Sequence, residues 1–231
     1  MKVMYGIMLV VISIATICCA GSPRTYENAI PITMDEYGEH LMHYFENKND
    51  AIIYETISIY KNDAYTGMLD QLDGIVLFFF YGIKNDNGVR YTNFRKIVTD
   101  SKVERLIRIF ITIDETDIAS ILEDQDADPG LNDVYWTLYL SSGDVKYIDY
   151  LLKIVMDHHN ETENVNYYLT ARSAMWSLSS NMQTFPSVRE YVQNNTILSN
   201  DMKRYLINND HNKIQDDTVR FINEQQQRGI W

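Results

Sequence analysis

The sequence predicts an all-α protein, built as an irregular, helical-repeat-like array of antiparallel helix pairs. Apolar residues return every three to four positions through most of the chain, which is the spacing of an amphipathic helix. Proline occurs only four times in 231 residues, and two of the four precede residue 32. Residues with the chemistry of helix ends separate the apolar segments. Because no fixed repeat length is present, the predicted array is irregular.

Residues 1–20 have the composition of a secretory signal peptide. One positive charge precedes an almost wholly apolar run over 7–17, and small residues follow. These are the three parts of such a peptide, and the run is shorter than the about 20 residues of a membrane span. We expect signal peptidase to cut after Ala20. The alternatives are a lipid on Cys18 or Cys19, or an uncleaved anchor.

Residues 21–31 are predicted to link this segment to one helical domain over 32–231. The linker has two prolines and no periodicity. Both cysteines lie in the segment that cleavage removes, so the stability of the mature chain depends on a packed core. Loss of Lys2 changes the formal net charge from −12 to −13. This charge argues against nucleic-acid backbones and anionic lipid surfaces as partners.

The first half of the domain carries signals for helix ends and one ambiguous apolar run. Thr33 followed by Glu36 has the spacing of a capping box. The run within 72–83 fits either a buried strand or a buried helix, and helical neighbours on both sides favour the helix. Residues 85–88 are predicted to form a polar turn, and 101–112 an amphipathic helix.

The second half shows three further helix boundaries. Asp128 before Pro129 predicts an N-cap followed by proline in the first turn. Ser142-Gly143-Asp144 is predicted to end one helix and begin the next, with Gly143 in the left-handed conformation. Further helices are predicted over 145–156 (apolar face Val145, Ile148, Leu151, Leu152 and Val155), over 165–178, after Pro186, and around Ile214, Val219 and Ile222.

Residues 135–192 contain three motifs in a fixed order. An aromatic helix with Tyr135, Trp136 and Tyr139 is followed by the Ser142-Gly143-Asp144 turn and then by a helix with Trp176-Ser177-Leu178. In this order the motifs resemble a group of uncharacterised bacterial exported or lipoprotein-like helical proteins. The resemblance implies a bacterial origin and a helical fold, and it implies no activity.

Two segments contain residues that metal ions bind. Asp124, Asp126 and Asp128 match the first three ligand positions of an EF-hand loop, but a proline stands where that loop needs glycine. His40 and His43 lie near two glutamates, but the zinc-protease spacing is missing. We therefore expect a solvated loop and an exposed polar helix face, and no cofactor.

Tyrosines form the remaining candidate site. Tyr and Trp are enriched at interfaces because each combines a large contact area with a polar group. Helical repeats often bind peptides in a concave groove. Burial in the core is the alternative interpretation of the same residues. The candidate partner-binding residues are Tyr135, Tyr139, Tyr147, Tyr150, Tyr167 and Tyr168.

The sequence leaves three hypotheses for function. The first is an exported, non-enzymatic protein, periplasmic or secreted, that binds a protein or peptide partner through these tyrosines. The second is a metal-dependent enzyme of unrecognised type that uses His40 and His43. The third is a structural envelope lipoprotein with a lipid on Cys18 or Cys19. No nucleic-acid partner is expected, and membrane contact is expected only through the N-terminal segment.

Overall fold

The structure, a computed structural model, describes residues 32–123 and 128–230. Helix accounts for 83% of the described residues and strand for none, so the prediction of an all-α protein is confirmed. Residues 1–31, with the predicted signal peptide and linker, lie outside this part, as do Asp124 and Asp126. The repeat-like arrangement of helix pairs stays a prediction.

The described residues pack as two compact units. Of the described residues, the first contains 32–122 and 137–144, and the second contains 123, 128–136 and 145–230. Helix α8, Pro129–Ser142, contributes residues to both units. The prediction of a single helical domain stays a prediction.

Short loops join the helices within each unit. The other helices of the first unit are α1 (Met34–Met42), α2 (Tyr44–Asn47), α3 (Ala51–Lys61), α4 (Leu69–Asp86), α5 (Gly88–Ser101), α6 (Glu104–Glu115) and α7 (Ile118–Glu123), with a 3-10 helix at Asp63–Met68. Those of the second unit are α9 (Lys146–His158), α10 (Val165–Thr184), α11 (Pro186–Asn194), α12 (Asn200–Asn208) and α13 (His211–Gln227). In the first unit α4 packs against α5 and α6, and in the second α10 packs against α9, α11, α12 and α13.

Helix α1 begins at the predicted capping box. Thr33 Oγ1 accepts a hydrogen bond from the Glu36 backbone N–H at 3.2 Å, and Glu36 Oε2 accepts one from the Thr33 N–H at 2.9 Å. These bonds satisfy backbone donors that the start of a helix leaves free. The Tyr37 ring is fully buried, and its hydroxyl lies 2.9 Å from Thr56 Oγ1 on α3. The cap therefore begins a helix whose core contact is with α3.

The apolar run within 72–83 forms a buried helix, which confirms the prediction. In α4, Val76, Phe80 and Ile83 are each at most 1% exposed, and their spacing of four and three residues places them on one helix face. The Phe80 ring centre lies 5.0 Å from that of Phe110 on α6. Aromatic contacts on one face of α4 thus form the core of the first unit.

The predicted polar turn over 85–88 is wrong in its length. Helix α4 continues to Asp86, and α5 begins two residues later. The backbone N–H of Asn87 donates to the Ile83 carbonyl at 2.7 Å, while the Asn87 side chain accepts from the Arg90 N–H at 3.0 Å. Asn87 thus ends α4 and caps α5, so the two helices are joined without a four-residue turn.

Both ends of α8 have the predicted chemistry. Asp128 Oδ1 accepts the Gly130 backbone N–H at 2.8 Å, which confirms the N-cap. Gly143 has φ +77°, the predicted left-handed conformation, and α8 ends just before it. The N-cap position of α9 is occupied by Val145, which makes no side-chain capping bond. The prediction for the start of α9 is therefore wrong by one residue.

Helix α10 is the centre of the second unit. Ala171 and Ala174 are fully buried, and their small side chains let neighbouring helices approach closely. The buried face of α9 agrees with prediction at Ile148, Leu151, Leu152 and Val155. Val145 and Val219 are instead 41% and 51% exposed, because Val145 precedes the first turn of α9 and Val219 lies on the outer side of α13. Helix α11 begins at Pro186, as predicted.

Candidate partner-binding site

The histidines considered as metal ligands in the first unit bind separate carboxylates. His40 Nδ1 lies 2.9 Å from Glu55 Oε2 on α3, and His43 Nδ1 lies 2.7 Å from Glu46 Oε2. The hydrogen bond to Glu55 raises the pKa of His40. Within the described residues, no three His, Cys, Asp or Glu side chains have the arrangement of a metal site.

The acidic segment before α8 is described only in part. Asp128 is the N-cap of that helix, and its Oδ1 atom accepts a hydrogen bond from the Gly130 backbone N–H. Asp124 and Asp126 lie outside the described residues, as do Cys18 and Cys19. The structure therefore assigns a role to Asp128 alone.

Most of the candidate tyrosines are core residues. The following are 4–7% exposed: Tyr135, Tyr139, Tyr147 and Tyr168. Tyr139 belongs to the first unit, where its ring centre lies 5.0 Å from that of Phe45. In the second unit the Tyr168 ring stacks on Phe221 at 4.6 Å. These side chains stabilise helix packing and present little surface to a partner.

Tyr150 and Tyr167 are the candidate tyrosines that reach the surface of the second unit. Tyr167 is half-buried and stacks on the imidazole of His158, with 4.7 Å between the ring centres. Tyr150 is 38% exposed, and its ring stacks on that of buried Tyr135 at 5.0 Å with 24° between the planes. The exposed ring of Tyr150 thus packs on a ring of the core.

Two lysines and two aliphatic residues in and next to α9 are exposed, as Tyr150 is. The residues termed here the α9 surface are Val145, Lys146, Tyr150, Lys153 and Met156. The Lys153 Nζ atom lies 5.5 Å from the centre of the Tyr150 ring, and the Lys146 Nζ atom lies 4.8 Å from that of Tyr147. Val145 and Met156 are 41% and 49% exposed. The surface therefore combines apolar area with two ammonium groups that contact aromatic rings.

Hydrogen bonds from α11 and the residue after it hold α9 in place. Asp149 Oδ1 accepts from the Tyr191 hydroxyl and from the Asn195 amide, each at 2.8 Å. Both donors follow α10, so the contact joins segments distant in sequence. A surface on a helix fixed in this way is preorganised for binding.

Sequence reasoning identified Tyr150 but missed the residues around it. The signal was present, because Lys146, Tyr150 and Lys153 have the i, i+4, i+7 spacing of one helix face. Residue type alone does not separate Tyr150 from the buried tyrosines. The lysines at positions 146 and 153 mark the polar face of α9, and Tyr150 lies on that face, so their spacing indicates that its ring is exposed.

Within the described part of the chain, no helix has both the length and the apolar composition needed to cross a membrane. The resemblance of residues 135–192 to bacterial exported helical proteins stays a prediction. Comparison of the chain with protein families, with curated proteins and with solved structures finds no match in any of the three.

Proposed function

We propose that this chain is an exported, non-enzymatic helical protein that binds a protein or peptide partner through the α9 surface. The observation that supports the proposal most is Tyr150, which is 38% exposed and rests on the buried ring of Tyr135. A tyrosine held in this way loses little conformational freedom on binding and offers a large contact area. Such side chains carry much of the binding energy at protein interfaces.

The two lysines define the charge of the partner. Lys146 and Lys153 lie one turn before and one turn after Tyr150 on a chain with a net charge of −12. Carboxylates placed opposite these ammonium groups gain local attraction, whereas the remaining acidic surface repels an acidic partner that docks elsewhere. This combination favours one orientation of an acidic partner.

The exposed aliphatic side chains set the length of the contact. Val145 and Met156 lie at the two ends of the α9 surface, and a helix of that length spans about 16 Å. A partner helix of about three turns, or an extended segment of about five residues, covers this distance. The partner therefore needs apolar side chains at the ends of the contact and carboxylates between them.

Export is tested by the mass of the mature N-terminus. Cleavage after Ala20 leaves Gly21 as the first residue. A lipid on Cys18 or Cys19 leaves a longer chain that carries the mass of the acyl groups, and this result favours the structural lipoprotein instead. A full-length chain in the cytoplasm contradicts the proposal of export.

Partner binding is tested by capture with a matched pair of variants. The tagged chain, Tyr150→Ser and Tyr54→Ser are immobilised and incubated with a fraction of exported proteins, and bound proteins are quantified by mass spectrometry. Tyr54 is 39% exposed on α3 and therefore controls for loss of a tyrosine of the same exposure. We expect at least one protein to bind the natural chain and Tyr54→Ser alike, and to bind Tyr150→Ser about tenfold more weakly.

The lysines provide a second arm of the same experiment. Lys146→Gln with Lys153→Gln is expected to weaken capture of that protein and to reduce its dependence on salt, because the lost contacts are electrostatic. If no captured protein distinguishes Tyr150→Ser from Tyr54→Ser, the α9 surface is not a binding site and the proposal is wrong.

A further inference from the structure

A groove on the first unit lies between α4 and α6. Its volume is about 430 Å³, and its lining includes Gly74 and Leu77 of α4 together with Arg108 and Ile109 of α6. Three features of the lining indicate what the groove binds.

The first feature is Gly74, a glycine in the interior of α4. Glycine in this position costs stability relative to alanine, because the unfolded chain has more freedom to lose. Its conformation is not left-handed, and apart from its chain neighbours and the nearby backbone of α4, no atom of the described residues lies within 4 Å of the place where a Cβ would stand. Folding of the described chain therefore does not require glycine here. Its effect is to leave the groove open.

The second feature is that the charges of Arg105 and Asp73, at one end of the groove, are paired with each other. Arg105 Nε lies 2.9 Å from each carboxylate oxygen of Asp73, and Arg105 Nη2 lies 2.5 Å from Asp70 Oδ1. The Tyr60 hydroxyl donates to Asp73 at 2.8 Å. Asp73 is thus fully engaged by partners of its own unit and leaves no carboxylate oxygen for a second arginine.

The third feature is Arg108, which lies one turn after Arg105. Its side chain is exposed and forms no ion pair with any carboxylate of the described residues. Beside it, Ile109 is 6% exposed and Leu77 is half-buried, so the wall next to the cation is aliphatic. A guanidinium beside an aliphatic wall complements a carboxylate that lies next to an apolar side chain.

We propose that the α4–α6 groove binds a peptide segment of a protein partner in which an aliphatic residue lies beside an aspartate or glutamate. The aliphatic side chain occupies the space over Gly74 and Leu77. The carboxylate pairs with Arg108. All the residues that line this groove belong to the first unit, and binding to it does not require the α9 surface.

The experiment measures binding of a defined probe to the full chain by fluorescence polarisation. The probe is a fluorescein-labelled peptide with a Leu-Ser-Glu-Ser repeat, which places leucine and glutamate on the same face of an extended chain. Control peptides replace every glutamate by glutamine or every leucine by serine. We expect the probe to bind and both controls to bind about tenfold more weakly or not at all, and we expect binding to weaken as salt is added.

Four variants test the residues. Arg108→Gln removes the cation, and Gly74→Gln places a helix-compatible side chain in the groove, so each is expected to weaken binding of the probe about tenfold. Arg189→Gln changes an exposed arginine of α11, and Gly88→Gln changes a glycine of α5 with equally open surroundings. Neither control is expected to change binding. Thermal unfolding followed by circular dichroism checks that every variant is folded.

The outcomes separate this proposal from the previous one. Tyr150→Ser is expected to bind the probe as the natural chain does. The proposal is overturned if the natural chain does not bind the probe. It is also overturned if Arg108→Gln binds as tightly as Arg189→Gln, or if folded Gly74→Gln binds as tightly as Gly88→Gln.

Discussion

Gly82 of α4 faces Ser141 of α8 so closely that a Cβ at position 82 would stand 1.9 Å from Ser141 Oγ and 3.3 Å from the Leu138 carbonyl oxygen. Both helical segments belong to the first unit. Glycine is required here by contact between helices, whereas Gly143 is required by its left-handed conformation. The same residue type thus serves two different physical needs.

Gly82→Ala is predicted to lower the free energy of unfolding by about 1–3 kcal/mol, because the new methyl group displaces Ser141. Ser141 Oγ then loses its hydrogen bond to the Leu138 carbonyl, which has a length of 3.0 Å. Urea unfolding followed by circular dichroism measures the change. The double variant with Ser141→Ala should recover part of the loss, and strict additivity of the two changes would contradict this explanation.

Arg172→Met is predicted to lower the free energy of unfolding by about 2 kcal/mol, because bonds from a charged donor are lost. Arg172 donates to Thr218 Oγ1 at 2.7 Å and to the Ile214 carbonyl at 2.8 Å, and these bonds join α10 to α13. Arg189→Met on α11 removes an exposed arginine and is the control. Equal effects of the two variants in urea unfolding would show that the bonds to α13 add no stability.

Helix ends were predictable because their chemistry is local. Thr33, Asp128 and Gly143 each act within a few residues, so their spacing in the sequence is sufficient information. Asn87 was not predictable in this way. Four polar residues in a row favour a turn, but a single asparagine satisfies the ends of both helices, and packing of α4 on α5 decides how far each continues.

The candidate site was harder to predict because burial depends on neighbouring helices. Tyr147 and Tyr150 are the same residue type in the same helix, three positions apart, yet they are 4% and 38% exposed. Their positions differ by about 60° around the helix axis, which is enough to move a ring from the core to its edge. Packing of α8 and α10 against α9 determines where the buried core ends. This position cannot be read from the sequence of α9 alone.

Asp133 gives a prediction for the dependence of stability on pH. Burial raises the pKa of this carboxyl to about 6. Its folded pKa therefore exceeds its unfolded pKa, so this part of the stability is present at low pH and is lost as pH rises through about 6. Asp133→Asn removes the charge and is predicted to raise the free energy of unfolding on the order of 2 kcal/mol at about pH 8.

The same variant should have a much smaller effect at about pH 4, where the folded protein keeps Asp133 protonated. Urea unfolding at both pH values measures the difference. Asp157→Asn, at an exposed position of α9, is the control for removal of a surface charge. An effect of Asp133→Asn that does not change with pH would contradict the role assigned to burial.

His40 gives a second prediction for pH dependence. Its pKa is raised by an interaction, whereas that of Asp133 is raised by burial. The hydrogen bond to Glu55 raises the pKa of His40, and the charges of Glu36 and Glu39 act in the same direction. The stabilisation is fully present below the unfolded pKa of His and is lost as pH rises through the folded pKa. It is small, because the His40 side chain is 54% exposed.

Titration of the His40 ring by NMR should give a pKa above that of an unfolded peptide, and Glu55→Gln should lower it. His43→Gln is the control, because it removes a neighbouring imidazole and leaves the Glu55 contact intact. A His40 pKa that is unchanged by Glu55→Gln would show that the 2.9 Å contact does not persist in solution.

Gly74→Ala is predicted to raise the free energy of unfolding by about 0.5–1 kcal/mol, because alanine reduces the freedom of the unfolded chain and fits the open surroundings. Gly82→Ala makes the same substitution in the same helix with the opposite expected sign, so the pair isolates the effect of contact at each position. Urea unfolding of both variants measures the difference. A loss of stability in Gly74→Ala would mean that folding itself requires this glycine, and would contradict the proposal that it keeps the α4–α6 groove open for a partner.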